Sequence, residues 1–417
     1  MNSIAPSTIK GFLPAPPSKS MTLRALAAGL LAPGVSRIRN VSLCDDGHAA
    51  LKIVEALGAE ISRDGEDTLV RSPGIRNLKV GSTIVDCRES GLSMRMFSSI
   101  AALLPVDVTL TASGSLSKRP MEMVTALDQV GASCRTDHGY APLSVKGPLE
   151  GGRMSIDANI SSQFLTGLLM ALPVCPKASL VSVSGLKSSP YVRMTVELIR
   201  RFGIRLSHDE GLKEFTIEGG QTYLPSTYAI EGDWSGAAFL LVAGAIAGKV
   251  TMTGLDLNSL QADRAVIEAL DASGAGLLFG KDELSVEKRK LNAFVFDATD
   301  CPDLFPPLAA LAALCEGTSV IYGAQRLAHK ESDRAQALRE EFGKLDILIE
   351  MCGNRMEVQG GRVRGGEVNS HNDHRIAMAC AVAALQAQGK VLIQDSECVA
   401  KSYPAFFSDL ERLRGTT

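Results

Sequence analysis

The sequence predicts an α/β protein of two similar domains, each assembled from three internal repeats of about seventy residues. Three observations carry this expectation: the length of 417 residues, two interleaved series of six helix-like segments, and short β-branched runs between them. A chain this long exceeds what one hydrophobic core organises, so it divides.

The first series comprises SKSMTLRALAAGLLA (18–32), ESGLSMRMFSSIAALL (89–104), SSQFLTGLLMALPV (161–174), DWSGAAFLLVAGAIAG (233–248), DCPDLFPPLAALAALCEG (300–317) and NDHRIAMACAVAALQAQG (372–389). Each opens on Ser, Asp, Glu or Asn, which cap helix starts, then turns almost uniformly small and apolar. A helix apolar on every side belongs in a core. The second series (45–59, 119–132, 189–203, 261–275, 330–344 and 401–415) has amphipathic spacing and reaches a C-cap glycine at Gly58, Gly131, Gly203, Gly274, Gly343 and Gly415. These glycines lie 73, 72, 71, 69 and 72 residues apart. TIVDC, VSVSGL, FVFDA, SVIYGA and VLIQD read as the intervening strands. Solenoid units are usually shorter, so three units per globular domain fit better, with a break near residue 227 after GGQTYLPSTY.

Apolar residues at 45% and charged residues at 21% exclude a disordered, collagenous or coiled-coil chain. Lys plus Arg (43) nearly balances Asp plus Glu (46), a net charge of −3, so nothing draws the whole molecule to nucleic acid or an acidic membrane. Nine scattered cysteines without a Cys-x-x-Cys pair read as free thiols in a reducing compartment. The start MNSIAPSTIK lacks a signal-peptide pattern, and the longest apolar runs, near 236–248 and 304–315, are too short to span a bilayer. A cytoplasmic protein, expected to be a monomer, follows.

Charged residues collect at helix starts. Lys19, Arg24, Arg95, Asp303, His374 and Arg375 fall in first turns of the apolar series; Arg119, Ser188, Tyr191, Lys330, Glu331, Arg334 and Lys401 fall at or just before starts in the other. Helix N-termini already favour anions, and adding cations there contradicts simple helix stability. Repeated violation of a local rule points to function. The expectation is a cleft for phosphates or carboxylates. Taken singly, Asp303 after Pro302 also reads as a cap, as does the pair Ser161–Ser162. His371 and His374 have a metal-like spacing, but no Cys or carboxylate cluster supports them, so no metal is expected. No Gly-x4-Gly-Lys-Ser/Thr or strand-borne Gly-x-Gly-x-x-Gly occurs, and no nucleotide cofactor is expected.

The segments PPSKSMTLRAL, SGLSMR, SLSKRPM, SSQFLTGLLMALP, SSPY, PDLFPPLAAL, HKESDR, NDHRIAMA and AKSYP, in this order and spacing, resemble the 5-enolpyruvylshikimate-3-phosphate synthase family from end to end. The resemblance implies two domains of three βαβαββ units each, the inside-out α/β barrel of enolpyruvyl transferases, spanning 15–227 and 1–14 plus 228–417, with the active site in the cleft between them. It also implies transfer of the enolpyruvyl group of phosphoenolpyruvate to the 5-hydroxyl of shikimate 3-phosphate, with release of phosphate and no cofactor. By the same resemblance Lys19, Gly91, Arg119, Gln163, Arg334, Arg375 and Lys401 match phosphoenolpyruvate-binding positions. Ser20, Arg24, Ser161, Ser162, Gln163, Ser188, Tyr191, Asp303, Arg326 and Lys330 match positions for shikimate 3-phosphate, with Lys19 between the two ligands.

Addition and elimination through a tetrahedral ketal needs a proton on the enol methylene while the 5-hydroxyl loses one. Two carboxylates in different environments divide such work. Asp303 is the expected acceptor from the hydroxyl and Glu331 the donor to the methylene, with Lys19 assisting and His374 orienting Glu331. In sensitive members of the family glyphosate occupies the phosphoenolpyruvate site; Gly91 argues for sensitivity here, and Leu92 and Met96 against it. Arg326 stands where many members have Asn, and Trp234 has no sequence-level explanation. The sister transferases acting on UDP-N-acetylglucosamine carry a reactive Cys before an Arg-Pro, and TASGSLSKRPM has none. A non-catalytic anion-binding protein is the remaining alternative, disfavoured by the presence of both Asp303 and Glu331.

Overall fold

The computed structural model describes residues 1–159, 161–328 and 330–415. The chain forms two compact units: Pro17–Ile230, and Met1–Pro16 together with Glu231 to the C-terminal end. Asp233 N donates to Pro16 O (2.7 Å), holding residue 16 in the second unit, while strand Thr227–Ala229 pairs in parallel with Gly34–Arg39 in the first. The divisions therefore lie at 16/17 and 230/231 rather than 14/15 and 227/228.

Among the described residues each unit holds three small sheets. In Pro17–Ile230 all three have four strands, a parallel pair extended by an antiparallel hairpin. Ile84–Asp86, for example, runs parallel to Asp107–Thr111, which pairs with the hairpin Ser133–Asp137 and Tyr140–Lys146. The first repeat of this unit takes its opening strand from the far end, Thr227–Ala229. In the other unit, Ile9–Pro14 supplies the opening strand of the fourth repeat by lying parallel to Gly248–Thr253. The sixth repeat has no C-terminal hairpin among the described residues; Asn2–Ile4 pairs antiparallel to Val391–Gln394 in its place, completing a three-stranded sheet.

The apolar segments are the core helices. In Lys19–Leu31 every residue from Met21 onward is buried, as is every residue of His374–Ala384, and in Trp234–Ala247 all but Ser235 are buried. Ser18, Ser90, Asp233 and Asp373 accept backbone N–H groups at their starts, as capping residues do. Small side chains let these helices approach closely. A Cβ at Gly167, on helix Gln163–Ala171, would stand 2.6 Å from Met96 O on helix Gly91–Ala101.

Two expected elements differ. Segment 119–132 contains a 3-10 helix, Glu122–Val130, rather than an α-helix. Gly58, Gly131, Gly203 and Gly274 adopt positive φ at their helix ends, but Gly343 lies inside helix Arg334–Lys344. There the left-handed position falls to Asp346 (φ 69°), a residue type that tolerates it, while Gly415 ends its helix at φ −83°. Trp234 is a core residue: fully buried, it donates Nε1 to Asp256 O (3.1 Å) while its backbone N bonds Gln261 Oε1 (3.0 Å). Among the described residues no helix is long and apolar enough to cross a membrane.

Candidate active site

In the unit Pro17–Ile230 the polar residues are gathered by three core helices. Lys19, the first residue of its helix, sets Nζ 2.9 Å from Asp46 Oδ2, a buried carboxylate in the first turn of Asp45–Ala56. Arg24, one turn further, is 1% exposed. Its Nε donates to Thr195 Oγ1 (2.9 Å), Nη1 to Ser20 O (2.9 Å), and Nη2 to Thr166 Oγ1 (3.4 Å) and Tyr191 O (3.3 Å). Among the described residues no carboxylate reaches it. Burial lowers this guanidinium to about 10, still charged at neutral pH. A buried cation satisfied only by hydroxyls and carbonyls keeps its charge available to an anion.

Gln163 and Thr166 lie three residues apart on one helix, so one face meets two arginines. Gln163 Oε1 accepts from Arg95 Nη1 (2.8 Å), whose Nη2 donates to Pro120 O (3.1 Å). At Gly91 an added Cβ would lie 3.0 Å from Arg95 Nη1 and 3.1 Å from Arg119 Nη1, so the absent side chain keeps both guanidinium tips against the backbone of the helix start. Arg119 is buried and ends the 3-10 helix Gly114–Lys118. Of the serine pair, Ser162 occupies the cap position without a side-chain cap bond; Ser161 Oγ instead accepts Gln163 N (3.1 Å). Ser188 is buried at φ 57°, and its carbonyl accepts Tyr191 N (3.2 Å).

In the other unit carboxylates and cations interlock. Asp303 does not cap: it lies within the 3-10 helix Pro302–Leu304 and turns its side chain to cations. Oδ1 is 2.7 Å from Arg334 Nη1 and 3.4 Å from Lys330 Nζ, and Oδ2 is 3.0 Å from Arg375 Nη2. Burial alone would raise this carboxyl, but Arg375, Lys330 and Arg334 outweigh it and hold it well below the usual carboxylate range. Arg334, 1% exposed, also grips Glu331 Oε2 (2.5 Å) and Asp373 Oδ2 (2.8 Å). Despite its burial these three acids raise its pKa, so it is a permanent cation. Burial pushes the Lys330 ammonium down. Arg326 Nη1 donates to Thr299 O (3.0 Å), and Lys401 is buried at the end of the 3-10 helix Ser396–Lys401.

Arg375 Nη2 further donates to Ser235 Oγ (2.8 Å), whose hydroxyl bonds Asp263 Oδ2. Burial, and then the charge of Asp303, raises Asp263 to about 6. His374 is buried with Nδ1 3.8 Å from Asp373 Oδ1, while His371 Nε2 meets Glu341 Oε1 at 2.7 Å. The spacing of the two histidines therefore does not converge on one ligand position. Glu340, Glu341 and His371 come close enough for a metal, as do Glu350, Cys352 and Glu357, but both Glu341 oxygens already face the Lys344 ammonium at 2.9 and 2.8 Å.

Sequence reasoning missed Asp46, Thr166, Thr195, Ser235, Asp263 and Asp373. Asp373 was the findable one, because it caps the helix that opens with His374 and Arg375. The others meet their partners across large sequence separations.

The family model described as EPSP synthase (3-phosphoshikimate 1-carboxyvinyltransferase) matches residues 4–410. Curated relatives named 3-phosphoshikimate 1-carboxyvinyltransferase include that of Clostridium novyi, 35% identical with 99% of this chain and 97% of the relative covered. That of Thermococcus kodakarensis is 39% identical, with 97% and 98% covered. A solved EPSP synthase from Acinetobacter baumannii superposes with TM-score 0.85 at 27% identity, covering 99% of this chain and 98% of that one.

Proposed function

Because the chain belongs to the EPSP synthase family, we propose how its residues transfer the enolpyruvyl group of phosphoenolpyruvate to the 5-hydroxyl of shikimate 3-phosphate, releasing phosphate. The observation that carries the reading is the grip of three cations on Asp303. In that grip Asp303 is ionised but a weak base. Phosphoenolpyruvate brings its own negative charges to Arg334 and Arg375, which draws those cations away from Asp303. The carboxylate then regains basicity and takes the proton of the 5-hydroxyl as oxygen attacks the enol carbon.

Glu331, the second acid on Arg334, enters protonated and gives that proton to the methylene, forming the tetrahedral ketal; when phosphate leaves, Glu331 takes a proton back from the methyl group and Asp303 gives its own to the departing phosphate. His374 orients Glu331. Lys19, Arg119 and Lys401 carry phosphoenolpyruvate charge, and the backbone of Gly91 and the Gln163 side chain bind the same ligand. Arg24 is the anion partner for shikimate 3-phosphate, supported by the absence of a carboxylate partner among the described residues; Ser20, Ser161, Ser162, Ser188 and Tyr191 add hydroxyls, and Lys330 and Arg326 add positive charge. Cations fixed before the reaction stabilise the charge that develops on phosphate and carboxylate. The reading is of a single chain acting as a monomer. Nine free thiols support a reducing, cytoplasmic setting.

Phosphate release from the purified protein, with a chelator present, tests this reading. Release that needs both substrates and survives the chelator is expected. Tight binding of either substrate without release would replace it by the anion-binding reading.

A further inference from the structure

Glu341 is a buried carboxylate that the reaction does not use. It lies on helix Arg334–Lys344, seven residues beyond Arg334 and so on the same face, about 10 Å along the axis. It is 0% exposed. Oε2 accepts the backbone N–H of Asn369 (2.8 Å), Oε1 meets His371 Nε2 (2.7 Å), and Lys344 Nζ bridges both oxygens. Burial would raise its carboxyl, but Lys344, the Asn369 N–H and His371 together keep it lowered, hence ionised. Enclosing such a charge contributes little to stability compared with an apolar side chain of similar volume, so a geometric role accounts for it better.

The geometry it holds is unusual. His371 and Asn372 are consecutive non-glycine residues in the left-handed region (φ 53° and 54°), a costly pair that neighbouring bonds must impose. Asn369 Oδ1 accepts His371 N (2.6 Å) and Ser370 Oγ accepts Asn372 N (3.1 Å). This turn delivers Asp373, which accepts Arg334 Nε (2.8 Å), Ser332 Oγ (3.1 Å) and Arg375 N (3.0 Å). The helix and the turn are thus joined at two points, Arg334 to Asp373 at the helix start and Glu341 to Asn369 and His371 two turns later. One joint alone leaves a pivot; two fix a direction.

We propose that Glu341 is a positioning residue: by pinning the Asn369–His371 turn to the helix that carries Arg334, it sets the aim of Arg334 and Arg375 at Asp303. The inference rests on the reading of those two arginines as phosphoenolpyruvate ligands.

Steady-state kinetics of Glu341→Gln, His371→Ala, His371→Gln and Arg334→Lys, with melting curves for each, test it. Glu341→Gln is expected to raise KM for phosphoenolpyruvate by about tenfold or more, as small misplacements do, with KM for shikimate 3-phosphate unchanged within about twofold. His371→Ala should reproduce part of that rise, and His371→Gln, which keeps an N–H donor, should restore it. Folded variants with an unchanged KM for phosphoenolpyruvate, or with both KM values raised equally, overturn the proposal. If Glu341→Gln does not fold, the two His371 variants decide, since that side chain is one-third exposed. Arg334→Lys separates the two readings: no change in the phosphoenolpyruvate KM there overturns the ligand assignment itself.

Discussion

Arg24 in the unit Pro17–Ile230 and Arg334 in the other are both 1% exposed, yet their hydrogen bonds are satisfied in opposite ways. Arg24 bonds two threonine hydroxyls and two backbone carbonyls, while Arg334 touches Asp303, Glu331 and Asp373. Both stand near the N-terminal end of a helix in units built on the same repeated plan. The neighbouring helices decide the outcome. Where they present Thr166 and Thr195, the cation waits for an anion; where they present Asp303 and Asp373, charge is already balanced and can be redistributed. On the proposed reading, Arg24 serves recognition alone, while the carboxylates around Arg334 add proton transfer to it.

Replacing Asp303 by Asn is the strongest way to break this division. Turnover should fall about 10²–10⁴-fold, the usual worth of a placed general base, while isothermal titration shows both substrates still binding. Near-normal turnover would remove Asp303 from the chemistry. On the recognition side, Arg24→Gln should raise KM for shikimate 3-phosphate by roughly 10- to 100-fold, the range of a lost charged hydrogen bond, with a smaller change in kcat. A dominant kcat loss would mean that the two units are not specialised as described.

Gly91→Ala sharpens the comparison within the recognition side. Its Cβ would press on Arg95 and Arg119 at 3.0 and 3.1 Å, so KM for phosphoenolpyruvate should rise by about tenfold, the scale of a slightly displaced group. KM for shikimate 3-phosphate should not move, and glyphosate inhibition, if present in the wild type, should weaken in parallel.

The smallest effect concerns stability. The folded Asp263 carboxyl titrates near 6, above the ~3.9 of an unfolded Asp, so the folded chain takes up the proton first. That stabilisation is complete below the unfolded value and is lost as pH rises through 6. Asp263→Asn should therefore raise the melting midpoint at pH 7 by about 2–4 °C and change it less at pH 4. An equal shift at both pH values would show that lost packing or hydrogen bonding, not charge, is responsible.

Local signals made the repeat legible: the caps Ser18, Ser90, Asp233 and Asp373 and the left-handed glycines are written in neighbouring residues. The 3-10 geometry of Glu122–Val130 was not, because amphipathic spacing does not distinguish the tighter 3-10 winding from an α-helix. Asp303 was ambiguous for the opposite reason. Its local context, after a proline and before an apolar helix, suggests a cap, and only Lys330, Arg334 and Arg375, up to 72 residues away, turn it into an ion-pair partner. Likewise Arg24 was visible, but its dependence on Thr166 and Thr195 was not, since those contacts span 142 and 171 residues.

The opening strands of the first and fourth repeats come from opposite ends of chain segments, and this orders events during synthesis. Pro17–Ile230 is continuous and closes on its own strand, Thr227–Ala229, without needing any later residue. Ile9–Pro14 has to wait for Gly248–Thr253, which begins 239 positions later (248 minus 9). At roughly 5–20 residues per second on a ribosome, that strand spends tens of seconds without its partner. Its unpaired edge is open to chaperones and to neighbouring nascent chains throughout that interval. Strand Ile9–Pro14, made early, thus finds its partner only once the second unit is under way.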